Sequence, residues 1–409
     1  MKILTNEYLC NTPNFKKPAK GGPANFARLF FNFLKKKVKN LEWCGIIIND
    51  LDQDNDCFSL KTLEDDKKRT IHYFSFPFLF TNKILKAKKV LDYRQVLAIP
   101  IKKLSLVVKK ISPDVVFLNG FSLGNWLILE AARKNNIPVV IQHAGIWFKE
   151  LEVYQDFYSP AGVKIMKEME RDSSVSSDRE IFLNNFSRSY FDQKVLKGKR
   201  AKENKFIIIP LPVDFSFFEK HQAEKTKFKF DNKKFNIGLV ARWDRIKNHE
   251  AVAKLSVEIK KRKLPWIINS VTSIPESNIN IEVKKSYRDN VKVIDFLTKK
   301  EIKDFCSSND LIIIPSKFDV SPTILLEAVA CKTPVAISSS VGFVDDYHKF
   351  GAKDWVINFE NSQLAVESLI KIKNKKLPVK LTKNLINNHN LETVFQKYLY
   401  LLNEITKTI

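Results

Sequence analysis

The chain has 409 residues, 44% of them hydrophobic, with 31 Phe against only 11 Gly and 16 Pro. That length allows two or three domains with sizeable cores, and that composition excludes a low-complexity chain. A net charge of +24 draws polyanions such as nucleic acid, anionic lipid or phosphorylated ligands, although a biased Lys-, Asn- and Ile-rich composition with a solvated surface would give the same total.

Short apolar runs alternate with helical patterns almost throughout, which predicts βα units and parallel sheets. Strand KIL opens the chain. A loop follows, then a helix in GGPANFARLFFNFLKKKVK, where Phe26, Leu29, Phe30, Phe33 and Leu34 share one helical face. WCGIIIND and DVVFLNG read as strands, Leu123 to Lys134 as a helix, and IPVVIQHAG, REIFLNN and KFIIIPLP as further strands. Near Asp214 the pattern restarts. FNIGLVARW is a strand with its exit loop, and a helix begins at about His249. PWIINSV, VKVIDFL, DLIIIPS and TPVAISS are strands separated by helices. The basic segment KIKNKKLPVKLTK leads to a last helix over 390–406. Two doubly wound α/β halves fit this order better than one large sheet.

Two stretches carry candidate chemistry. In LIIIPSKFDVSPTILLEAVA a strand, a loop and a helix follow one another. Ser321 is placed to cap the helix and Pro322 to occupy its first position. The backbone N–H groups from Val320 to Thr323 would then favour an anion such as phosphate. Glu327 stands among Leu325, Leu326, Ala328, Val329 and Ala330, where a carboxylate is costly unless something pairs with it. A capped structural helix with a partly exposed Glu is the plainer alternative. In GLVARWDRIKNHE, Arg242 and Lys247 follow a strand exit, and two cations in one loop can clamp a diphosphate and stabilise its departure. Surface charge is the alternative there.

Together these stretches resemble the nucleotide-sugar-binding half of retaining GT-B glycosyltransferases, particularly family four. Gly238, Arg242 and Lys247 match the family's first motif, and Asp319 and Glu327 match its Glu-x7-Glu motif. GGPANFARL, with Gly21 and Gly22, is similar to the N-terminal glycine loop, and IPVVIQHAG to the strand ending in His-Gly. The chain departs from the family in having Asp319 for the first Glu, Leu211 and Pro212 for an Asn-Gly pair, Lys332 and Thr333 where Gly is frequent, Phe343 after Gly342, and Asp345 near the usual Glu. The resemblance implies a GT-B fold of two Rossmann-like doubly wound domains facing a central cleft. Residues 1–214 would form the acceptor domain and 215–385 the nucleotide-sugar domain. Residues 386–409 would form a helix crossing back to the N-terminal domain.

It further implies a retaining hexosyltransferase moving a sugar from a nucleotide diphosphate sugar to a glycan or lipid-linked acceptor in cell-envelope polysaccharide synthesis. Arg242, Lys247, Asp319 and His143 are the implied catalytic residues. Glu327, Val320, Ser321, Pro322, Thr323 and Gly238 would bind the donor, Glu327 through the ribose hydroxyls, with Gly21 and Gly22 in an acceptor or phosphate loop. No cofactor beyond the donor substrate is expected. The rivals are a basic nucleic-acid-binding protein, for which no zinc finger, RNP motif or aromatic-interleaved basic stretch is found, and a nucleotide-sugar-binding scaffold without catalysis. Nucleic acid is therefore not an expected partner.

Other features are read more plainly. Asp50, Asp52, Asp54 and Asp56 alternate but lack the Gly and Glu of a calcium loop, so an acidic turn is favoured. The six His residues form no zinc-ligand spacing, so no metal is expected. Five cysteines without CxxC spacing, and an N-terminus without a long apolar stretch, are read as a reduced cytoplasmic protein without a signal peptide. No uninterrupted apolar run reaches the roughly 18 residues of a spanning helix. Lys35, Lys36, Lys37 and Lys39, with the basic apolar stretch 83–110, suggest a peripheral contact with an anionic membrane on its cytoplasmic face. Alternatively, the apolar residues face the core and the lysines only water.

Overall fold

The computed structural model describes residues 1–7, 22–51, 58–197, 205–219, 228–272, 278–295 and 297–407. The chain divides into two compact units, Met1–Pro210 with Glu392–Ile409, and Leu211–Leu391.

In chain order the first unit contains β1 (Lys2–Asn6), α1 (Gly22–Lys37), β2 (Glu42–Leu51), β3 (Ser59–Asp66), β4 (Arg69–Pro77), α2 (Phe78–Leu85), α3 (Tyr93–Val96), α4 (Ala98–Ile111), β5 (Val115–Asn119), α5 (Leu123–Arg133), β6 (Val139–His143), α6 (Trp147–Val153), α7 (Pro160–Ser176), β7 (Arg179–Phe182), α8 (Asn185–Tyr190) and β8 (Phe206–Ile208). Its eight strands run β3-β4-β2-β1-β5-β6-β7-β8, all parallel except β3, which pairs antiparallel with β4. The β3–β4 hairpin has no counterpart in the sequence reading. SLKTLEDD is an edge strand and lacks the continuous apolar run that marks a strand buried on both faces.

The two faces of this sheet are covered by different helices. Phe30 of α1 packs on Trp43 and Phe117, and on Phe395 and Tyr398 of the last helix. On the opposite face Ile101, Leu104 and Val108 of α4 share a core with Leu4, Ile46, Val116 and Leu118. Phe117 faces away from Val116 and Leu118 because side chains alternate along a strand.

The second unit contains α9 (Phe215–Glu219), β9 (Phe235–Val240), α10 (His249–Lys261), β10 (Trp266–Val271), α11 (Asn278–Ser286), β11 (Val291–Ile294), α12 (Lys299–Ser308), β12 (Leu311–Ile314), α13 (Thr323–Ala330), β13 (Val335–Ile337), α14 (Val344–Lys349), α15 (Ser362–Ile372) and α16 (Val379–Asn388). Its five strands are parallel, in the order β11-β10-β9-β12-β13. The final helix, α17 (Leu391–Lys407), belongs to the first unit.

The unit boundaries differ from the expected 214 and 386. The Val213 amide donates to His389 O, and the His389 ring bonds Leu211 O, so residues from 211 onward join the second unit. Leu381 and Leu385 of α16 lie in the second unit's core, so the return to the first unit begins after that helix.

Candidate active site

The order of the second sheet fixes where a ligand can enter. From β9 the chain winds outward through β10 to β11, then returns to β12 on the other side of β9. Such a switch opens a crevice beyond the carboxyl ends of the two central strands. Both predicted motifs leave from those ends, GLVARWDRIKNHE from β9 and the Asp319–Glu327 segment from β12.

The β9 exit is a short 3-10 turn, Arg245–Lys247, capped by Asp244, whose side chain accepts from the Ile246 amide. Asn248 follows with φ of 62°, a left-handed conformation that Asn tolerates better than most residues. Its side chain donates to Pro315 O at 3.0 Å and to the Glu360 carboxylate at 2.9 Å, while the Lys317 amide donates to Ile246 O at 2.8 Å. These bonds stitch the two exit loops together. They bring Lys247 Nζ to 2.5 Å from Asp319 Oδ2. Lysine carries three donors, so one bond to Asp319 leaves two for a ligand. Asp319 is itself held by its backbone: its amide donates to Ser340 O and its carbonyl accepts from the Gly342 amide.

Arg242 is not part of this pair. Its side chain is 75% exposed and reaches Asp244 at 3.3 Å. Its carbonyl accepts from His249, whose ring stacks on Trp243 at 4.3 Å and bonds the Tyr287 hydroxyl. Burial pushes the His249 pKa below its ordinary value. Asn248, His249, Trp243 and Tyr287 were not singled out from sequence, although three of them lie within or beside the cationic motif.

At the β12 exit, helix α13 begins at Thr323, one residue later than expected, with Pro322 as its N-cap. Ser321 is therefore not the cap. Its hydroxyl is buried without a hydrogen-bond partner, and Val320 is buried. The first-turn amides of Thr323 and Ile324 have no acceptor among the described residues, as an anion-receptive helix start requires. One turn further on, Glu327 is half-buried. It makes no side-chain hydrogen bond among the described residues. Desolvation pushes its pKa up to about 7, partly opposed by the charge of Lys299. Lys299 is engaged by Asp214 at 3.5 Å and lies 4.2 Å from the Phe217 ring centroid.

Two expected site residues have structural positions instead. A Cβ on Gly238, in mid-β9, would stand 2.5 Å from Ile312 Cδ1 and 2.9 Å from Phe305 Cε1, so this glycine admits close packing rather than a ligand. His143 is 1% exposed. Its ring stacks on Phe182 at 4.5 Å and bonds Glu180, which also accepts from Ser177. Burial raises the Glu180 pKa, but hydrogen bonding and charge from His143, with the Ser177 bond, bring it below the usual carboxylate value. Gly22 starts α1 with open space where a Cβ would stand. Gly21 and Asp52, Asp54 and Asp56 lie outside the described residues. Among the described residues no His, Cys, Asp and Glu group is arranged to hold a metal ion.

Residues 220–391 match the family model of glycosyl transferases group 1. That match lies within the second unit, Leu211–Leu391. The chain is 23% identical over 185 residues to a Klebsiella pneumoniae protein named "Uncharacterized 41.2 kDa protein in cps region", covering 44% of this chain and 49% of that protein. It is 26% identical over 161 residues to "Putative glycosyltransferase EpsF" of Bacillus subtilis (strain 168), covering 38% and 40%. The alignments thus span less than half the length of either relative.

Solved structures match over nearly the whole chain. Sucrose-phosphate synthase of Thermosynechococcus elongatus aligns with a TM-score of 0.70 and 12% identity, covering 100% of this chain and 99% of that one. The UDP-forming alpha,alpha-trehalose-phosphate synthase of Burkholderia xenovorans, in complex with glucose-6-phosphate, aligns with a TM-score of 0.69 and 11% identity, covering 98% and 99%. An E. coli structure described as trehalose-6-phosphate bound with UDP-2-fluoro glucose aligns at 0.67 with 12% identity, covering 98% and 99%. The fold of the chain is GT-B.

Proposed function

We propose that the protein is a glycosyltransferase that moves a sugar from a nucleotide diphosphate sugar to a glycan or lipid-linked acceptor, with retention of anomeric configuration. The observation that carries this reading is the constellation at the switch point of the second sheet: the Lys247–Asp319 pair, with the first amides of α13 and the Glu327 carboxyl, which have no hydrogen-bond partner among the described residues. Each part answers a different part of the donor. The α13 amides and Lys247 suit the diphosphate. Glu327 suits two neutral hydroxyl donors of a ribose. Asp319, already within reach of Lys247, suits a hydroxyl of the transferred sugar.

In this reaction the bond between the anomeric carbon and the diphosphate oxygen breaks, and the acceptor hydroxyl forms the new bond on the same face. The hydroxyl proton passes to the departing phosphate oxygen. Lys247 meets the charge that grows on that oxygen, the kind of contact that is stronger in the transition state than before it. Arg242 joins by swinging from Asp244, a movement its exposure permits. No metal or further cofactor takes part.

Match names from a cps region and from EpsF support a role in polysaccharide synthesis. The glycosyltransferase reading is tested by a thermal-shift screen with nucleotide sugars, followed by donor hydrolysis and transfer assays. A specific donor raises the melting temperature by mass action. Stabilisation without hydrolysis or transfer would leave a binding scaffold, and no stabilisation by any nucleotide sugar would overturn the donor assignment.

A further inference from the structure

The outer face of α4 carries a pattern that the proposed chemistry does not use. This helix contains no acidic residue. Its inner side, Ile101, Leu104, Val108 and Ile111, is in the core. Its outer side shows Ile99, 55% exposed, and Leu106, 61% exposed. These are seven residues apart, so they lie almost in line along the helix. Lys103 and Lys110 flank that line on one side, and Lys102 and Lys109 on the other, all exposed. None of the four has a carboxylate within ion-pair distance among the described residues. The preceding segment adds exposed Lys83, Lys86, Lys88 and Lys89, with exposed Leu79 and Val90. Asp92, the one acidic residue from 83 to 110, is occupied in capping α3.

We propose that the outer face of α4 docks on an anionic lipid bilayer. Charge complementarity selects an anionic partner. The aliphatic line between the two lysine rows selects a bilayer over a nucleic acid, because a headgroup–acyl boundary accepts both apolar and cationic side chains whereas a phosphate backbone offers nothing to exposed Ile and Leu. Lys35, Lys36, Lys37 and Lys39 do not belong to this surface. They end α1, on the opposite face of the sheet, and Lys37 is paired with Glu392. The expectation that both basic stretches rest on one membrane is corrected accordingly. No helix among the described residues is long and apolar enough to cross a membrane, so the contact is peripheral. If the transferase reading holds, docking brings the first unit to a lipid-linked acceptor; the docking itself does not depend on that reading.

The test is co-sedimentation of the full chain with phosphatidylglycerol–phosphatidylcholine vesicles and with phosphatidylcholine alone, at low and high salt. Binding is expected only to the anionic vesicles and is released by salt. Replacing Lys102, Lys103, Lys109 and Lys110 together by Gln lowers partitioning by about fivefold per lysine, roughly 10²–10³-fold in all. Ile99→Ser with Leu106→Ser weakens binding while keeping every charge. Replacing Lys35, Lys36, Lys37 and Lys39 by Gln removes the same charge from the opposite face and is expected to change binding far less. Absence of binding to anionic vesicles, equal losses from the two lysine sets, or binding to DNA but not to vesicles would each overturn the proposal. Donor-induced thermal shift is measured on every variant: its retention shows a folded second unit, and its absence in the wild type would count against the donor reading alone.

Discussion

The half-buried carboxyl of Glu327 makes donor binding a titration. Its pKa is raised to about 7 because burial disfavours the charged form and only Lys299 opposes it. A ribose that donates hydroxyl hydrogen bonds to Glu327 favours the ionised form. Below pH 7 the site must first lose a proton, and affinity falls as pH falls. The ionised fraction drops from about nine-tenths at pH 8 to about one-tenth at pH 6, so the donor binds about tenfold more weakly at pH 6. Calorimetry with a nucleotide diphosphate sugar, whose phosphates do not titrate there, measures the effect. Repeating it in two buffers of different ionisation heat shows close to one proton released per ligand at pH 6 and almost none at pH 8.5. Glu327→Gln is expected to bind more weakly at pH 8 and to show no pH slope. The same shift governs stability without ligand. The folded chain holds this proton more tightly than the unfolded chain, so stability falls as pH rises from 4.5 to 7. Above pH 7 Glu327→Gln is expected to be more stable by about 3 kcal/mol, and below pH 4.5 by nothing. A flat affinity between pH 6 and 8 in the wild type, or the same slope in the Gln variant, would refute the reasoning.

Lys247→Ala is expected to lower turnover by about 10²–10³-fold, as loss of one charge contact to a leaving group typically does; near-normal transfer would remove Lys247 from the mechanism. Arg242→Ala, exposed and paired only with Asp244 among the described residues, should leave the melting temperature unchanged and still lower turnover, and a variant that unfolds early would show the residue to be structural. Gly238→Ala should destabilise by about 1–3 kcal/mol through overpacking against Ile312 and Phe305, read by denaturant unfolding, with donor affinity per folded molecule unchanged. His143→Ala leaves Glu180 buried without its principal partner and should cost about 3–5 kcal/mol; an unaltered stability with lost activity would return His143 to the catalytic group.

Periodicity placed most strands close to their observed positions, because a strand covered on both faces needs an unbroken apolar run, as in LIIIP and VVFLN. The order of motifs resembled a GT-B chain for the same reason: each motif leaves a strand end, and strand ends are legible. The hairpin β3–β4 was not, since an edge strand needs no such run. The carboxylate Glu327 stood out in the sequence as a charge among apolar neighbours. That it has no hydrogen-bond or ion-pair partner among the described residues, and is therefore raised rather than ion-paired, depends on Lys299 being engaged elsewhere, which is a matter of tertiary contacts. Likewise the sequence offered Arg242 and Lys247 as equals. Only the stitching of the two exit loops through Asn248 and Lys317 turns Lys247 onto Asp319 and leaves Arg242 in solvent. Gly238 and His143 stand in motif positions, but whether a residue faces a ligand or the core depends on what packs against it, and for these two that is Ile312 and Phe305, and Phe182 and Glu180. The lysines at both ends of the first unit's helices are alike in sequence. The strand alternation that sends Phe117 to one side and Val116 and Leu118 to the other assigns α1 and α4, and their charges, to opposite faces.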